Sequence, residues 1–246
     1  MGKYTEKEII ETITQYRANE SVKDYSAGYD LCYNYFQNNR YHLAGDNLET
    51  SCMQLWGYLN CRFGICPYFH SPAFLVDLVE YISSISESEI WNIDIDNYSK
   101  GDNMSTIIDV FNNISAVLKE SIRPFKEKDP DRLYPSKTPT VSKIMFGVFG
   151  GIPDYSGAYF SYIFDDMDLF KRLNEQSLSA LENFYLEYRE AFDGIKIHTF
   201  DINGNTTHRI YTKARLLFLY TSIRGRQIER ERIKALIEKS KKQKNE

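Results

Sequence analysis

The sequence predicts a mainly α-helical fold: a multi-helix globular domain with one small β-hairpin near residues 195–211 and a basic C-terminal helix. Three observations carry this. Apolar residues recur at three- and four-residue steps through most of the chain, the spacing of one helical face. Convincing two-residue alternation occurs in one place, Ile195, Ile197 and Thr199. Apolar residues make up 42% of the 246 residues and aromatics 15%, enough for a sizeable, ring-rich core.

The first helix opens at Thr5, whose hydroxyl can take the Glu8 amide in a capping box; Ile9, Ile13 and Tyr16 share its inner face. The second carries Tyr25, Tyr29, Tyr33 and Phe36 at helical spacing, a stripe that reads as core rather than a base-stacking platform. The third holds Leu48, Cys52, Leu55, Trp56, Leu59 and Phe63 on one face and ends near Gly64 and Pro67. Ser71-Pro72 caps the fourth, with Phe74, Leu75, Leu78, Ile82 and Ile85 inward. The polar stretch Ser86–Asn103 reads as a surface loop. A fifth helix spans Met104 to Glu120, and Pro124 is expected to stop it.

Prolines 124, 130, 135 and 139 make 124–139 the candidate sub-domain break inside an otherwise single helical domain, 1–223. Beyond it a helix, a glycine turn at Gly147, Gly150 and Gly151, and a short helix are expected. A further helix covers Ser177 to Phe192, closed by Gly194. Asn203-Gly204-Asn205 turns the hairpin. The last helix starts at Thr212 and continues past Gly225 into a basic helical tail, 224–246.

Charge is unevenly distributed. The net charge is −4, but the tail carries nine Lys/Arg against four Asp/Glu, leaving 21 basic against 30 acidic residues before it. Such a tail suits a polyanion, DNA or RNA, or else a solvated terminal helix. No apolar run reaches the roughly 18 residues of a membrane helix, and Met1–Ile10 lacks a basic-then-apolar signal pattern. A cytoplasmic protein with no membrane partner is expected, and Cys32, Cys52, Cys61 and Cys66 read as free thiols.

Candidate sites follow from residue type and spacing. Cys61, Cys66 and His70, with Cys52, have metal-ligand chemistry but not the tight knuckles of a zinc site, so no metal and no cofactor is expected. His42, His70, His198 and His208 sit in no nucleophile motif. Asp154, Asp165 and Asp166 are the candidate catalytic carboxylates, though such aspartates also cap helices. Backbone amides freed by Gly147, Gly150 and Gly151 can cradle a phosphate; the alternative is close helix packing. No Gly-Lys-Ser/Thr follows, so this is not a nucleotide P-loop.

The segment Val141–Phe160 resembles the helix-hairpin-helix DNA glycosylase superfamily, in its uncharacterised bacterial branch. Ser142-Lys143-Ile144-Met145 matches the opening and Ile152-Pro153-Asp154-Tyr155 the turn. Tyr211-Thr212-Lys213-Ala214-Arg215-Leu216 is similar to a closing helix of such proteins. The resemblance implies an all-helical fold whose hairpin holds a DNA backbone phosphate. In active relatives an Asp at the start of the next helix drives N-glycosidic cleavage; by spacing it falls at Ser156, two residues from Asp154. No hairpin lysine nucleophile and no iron–sulfur cysteine set is identified.

Together these lead to three readings. The first is nucleic-acid binding through the glycine turn, with or without catalysis, using Ser142, Lys143, Gly147, Gly150, Gly151, Arg224, Arg226 and Arg230. The second is a protein–protein interaction module of a phage, toxin or defence system. The third is a DNA base-excision enzyme.

Overall fold

The computed structural model describes residues 3–20, 27–61, 71–129, 137–155, 159–166 and 168–243. The order is α1 (Glu6–Ala18), α2 (Ala27–Asn38), α3 (Leu48–Asn60), α4 (Val76–Ser84), α5 (Asn103–Lys128), α6 (Lys137–Phe149), α7 (Phe160–Phe164), α8 (Glu175–Glu187), α9 (Arg189–Gly194), β1 (His198–Phe200), β2 (Thr206–Ile210) and α10 (Lys213–Gln243). The expected architecture of helices plus one antiparallel hairpin is what the chain adopts. None of the described helices is long and apolar enough to cross a membrane.

α6 lies at the centre, and every residue from Thr140 to Tyr155 is buried. A helix apolar on all sides must be enclosed by others. α2, α3 and α5 pack against α6, and the Phe146 ring meets Tyr29 at 4.5 Å and Phe218 of α10 at 4.9 Å. Buried apolar residues from Tyr4 to Tyr220 form one cluster, and α5 and α6, which flank residues 130–136, both contribute to it.

Three expectations are corrected. Pro124 does not stop α5, which runs on to Lys128. Proline removes one intrahelical donor, but the Phe125 ring packs on Phe74 at 4.5 Å and anchors the extra turn. The helix expected over Ser177–Phe192 is two, α8 and α9, meeting at Tyr188. Ser86–Asn103 is not a surface loop: Ile90, Trp91, Ile93, Ile95 and Tyr98 are buried in it. Its polar groups build instead. Asp94 accepts the Ile95 amide (2.8 Å) and, across the fold, the Lys213 (2.7 Å) and Ala214 (2.9 Å) amides that open α10. One carboxylate thus satisfies orphan donors of two elements.

α10 has 31 residues, a rod of about 46 Å. Its first turns are core; its outer turns expose Ile233, Leu236 and Ile237. Glu229 takes a bond from Tyr162 and Arg232 pairs with Asp165, fastening the middle of the rod to α7.

Candidate functional site

The glycine turn is sealed. Gly147, Gly150 and Gly151 are buried, as are Ser142 and Lys143. Gly150, at φ +77°, donates its amide to the carbonyls of Phe146 (3.0 Å) and Met145 (3.4 Å). Its own carbonyl accepts from Thr212 Oγ1 at 2.7 Å, and the Gly151 carbonyl accepts from Tyr98 Oη at 2.6 Å. A Cβ on Gly147 would sit 2.3 Å from the Tyr58 ring, on Gly150 2.4 Å from Tyr33, and on Gly151 1.8 Å from the Ile93 carbonyl oxygen. These glycines permit close packing. The phosphate cradle expected of this turn has no exposed donor to work with.

The two polar neighbours are equally committed. Ser142 Oγ accepts the Tyr155 amide (2.9 Å) and donates to the Pro139 carbonyl (3.3 Å). Lys143 Nζ donates to the Leu59 carbonyl at 3.0 Å and sits 5.3 Å from the Tyr58 ring centre.

The candidate carboxylates separate. Asp165, exposed and left-handed at φ +51°, pairs with Lys3 (2.5 Å) and Arg232 (3.4 Å). The Lys3 bond holds its carboxyl below the ordinary range. Asp166 accepts the Asp168 and Leu169 amides. Both roles are structural. Asp154 is 2% exposed and lines a pocket. Of the tail cations, Arg224 pairs with Glu8 (2.9 Å) and Glu231 (3.6 Å). Arg226 donates Nε to the Ser222 carbonyl (3.1 Å) and lies over Tyr159 at the pocket rim. Arg230 is exposed. Among the Cys/His set, Cys66 and His70 lie outside the described residues, as does Ser156. Among the described residues no group of three His, Cys, Asp or Glu could hold a metal ion.

The pocket is a half-open recess; the empty space between its lining atoms, open solvent included, is about 570 Å³. α10 gives one wall: Arg215, Phe218, Leu219, Ser222 and Arg226 follow at helical steps. Tyr16 of α1, Tyr29 of α2, Tyr58 of α3, and Lys143 and Phe146 of α6 give most of the rest, with Asp154. Aromatic walls around a few converging polar groups are the usual make-up of a ligand site.

Arg215 is the unusual member. It is 4% exposed, and its described contacts are ring faces: Tyr29 at 4.2 Å, Tyr211 at 5.2 Å, Phe146 at 5.6 Å and Phe218 at 5.8 Å. Its Nε has no acceptor, and Tyr29 Oη beside it has no partner among the described residues. Burial works against the Arg215 charge; neighbours including Asp30 and Glu20 restore it through space. Asp30 is engaged elsewhere, and of the Glu20 oxygens Oε2 is engaged while buried Oε1 has no partner among the described residues. Asp30 accepts from the Phe200 amide and Tyr211 Oη, both at 2.8 Å, and lies 3.6 Å from Arg17; Glu20 pairs with Arg17 at 2.5 Å. Sequence reasoning met Arg215 only as part of the closing helix and assigned it no role. The available signal was a single cation inside the apolar run Ala214–Tyr220.

Comparison of the chain with protein-family models, with curated proteins and with solved structures finds no match in any of the three.

Proposed function

We propose that the chain binds nucleic acid and seats one nucleotide unit in the pocket beside α10. The carrying observation is the pocket lining, where Tyr29, Tyr58, Phe146 and Phe218 stand beside Arg215 and Arg226. Aromatic faces suit a base, and cationic donors suit phosphate oxygens. Arg226 at the rim and exposed Arg230 beyond it extend positive charge away from the mouth along α10. The unit enters from a single strand or an unpaired position, because a stacked base presents no free face to such a pocket. In this reading the glycine turn has a supporting role: it sets α6 against α10 through the Gly150–Thr212 bond.

Fluorescence anisotropy with single-stranded and duplex oligonucleotides at low salt tests this. Single strands are expected to bind in the micromolar range or tighter, with affinity falling steeply as salt rises. Arg226→Glu with Arg230→Glu should weaken binding. No signal with either nucleic acid at micromolar protein overturns the reading.

Base excision is a second reading, favoured by one fact: among the three candidate carboxylates, Asp154 alone lines the pocket. Release of abasic sites from a panel of damaged duplexes would reveal it. An unchanged rate in Asp154→Asn would remove Asp154 from that chemistry.

A further inference from the structure

A buried guanidinium whose Nε meets no acceptor is costly to keep. Charged side chains are almost never fully buried unless paired, and hydrogen-bonding groups shut away from water without acceptors each cost free energy. Arg215 lines the pocket in this condition, with the unpartnered hydroxyl of Tyr29 next to it. Asp30, the nearby acid that could serve it, is turned to the hairpin: its oxygens take the Phe200 amide and Tyr211 Oη. The Arg215 Cζ lies over the Tyr29 ring, 4.2 Å from its centre, and a ring face offers the N–H groups of the fork no hydrogen-bond acceptor in its plane. A planar fork of this kind is matched by an oxyanion with two or more oxygens. Lys143 and Arg226 line the same space against one carboxylate, Asp154.

We propose that Arg215 receives an oxyanion, and that the anion is the terminal phosphate monoester of a nucleic-acid strand or of a free nucleotide. The terminal position follows from depth. Arg215 is 4% exposed and Phe146 and Phe218 stand around it. A phosphodiester inside a strand would need chain leading both into and out of this recess. A chain end needs only one passage. The inference rests on the nucleic-acid reading above for the identity of the ligand, not for the anion seat itself.

The test uses the full chain and one tetranucleotide in three forms: 5′-phosphorylated, 3′-phosphorylated, and hydroxyl at both ends. One phosphorylated form should bind about tenfold or more tighter than the hydroxyl form, the effect of one or two charge-assisted hydrogen bonds. Arg215→Met should erase that preference and Arg215→Lys should retain part of it. A general charge effect would survive Arg215→Met. Equal binding of the three forms to the wild-type chain overturns the inference and leaves the nucleic-acid reading standing; this comparison needs no variant. In parallel, a nucleoside monophosphate and its nucleoside are compared for their effect on thermal unfolding. If no oligonucleotide binds, but the monophosphate alone raises the Tm of wild type and not of Arg215→Met, the anion seat stands and the nucleic-acid reading falls.

Discussion

The glycine turn and the pocket face of α10 both place polar groups in the interior, and they use them in opposite ways. At the turn, Ser142, Lys143, Gly150 and Gly151 each have an internal partner. Around Phe146 of the same helix, Arg215 and Tyr29 present donors that no described residue takes. The first region is a finished joint; the second is an unfinished one. A buried polar residue therefore signals function only when its bonding capacity is left over.

The contrast can be broken by substitution, beginning where the effect is greatest. Gly151→Ala drives a Cβ into the Ile93 carbonyl oxygen, 1.8 Å away. A backbone atom cannot swing aside, so the expected cost is about 3 kcal/mol or more, read from urea unfolding. Asp94→Ala strips the amides that open α10 of their acceptor, at about 2 kcal/mol by the same measurement.

Asp94 also carries a pH signature. Burial pushes its carboxyl up to about 6, against the pull of the amides it accepts. The native state then holds this proton more tightly than the unfolded chain does. This group's contribution is greatest below the ordinary carboxylate range and is lost as pH rises through about 6. Asp94→Asn should flatten that slope between pH 4 and 6; an unaltered slope would show that other groups set it.

Ser142→Ala leaves the buried Tyr155 amide without its acceptor and should cost about 1–2 kcal/mol. Arg215→Met, the smallest effect, forfeits ring contacts and some charge compensation of Asp30 but no described hydrogen bond, so stability should change by about 1 kcal/mol. An Arg215→Met cost as large as that of Gly151→Ala would mean that Arg215 is a finished joint after all.

Much of the framework was legible because it is written in local spacing. Thr5 caps α1 through the Glu8 amide at 3.2 Å. Leu55 and Leu59 turn inward on α3, and the hairpin pairs His198 with Ile210. What local spacing cannot carry is long-range partnership. Asp94 looks like a loop residue until Lys213 and Ala214, more than a hundred positions away, bring their amides to it. Ile90, Ile93 and Ile95 follow no helical or strand period, so their burial has no signature in sequence. The same limit governs the site. Lys143 and Asp154 stand out as residue types and do line the pocket, but the glycine turn, which suggested a phosphate grip, is buried, and the Gly150 amide is spent inside. Arg215 acquires meaning only from the rings around it, contributed by α2, α6 and α10 and by Tyr211 just before α10.

One unbroken helix joins a buried cation of the pocket to the outermost apolar side chains of the tail. Leu236 lies 21 residues beyond Arg215 on α10, which sets the two about 32 Å apart along a single axis. The recess and the exposed Leu236 are therefore held at a fixed span and heading by one element. The rod sets that measure, and a kink introduced between the two residues, such as Gln227→Pro, would change it without touching either end.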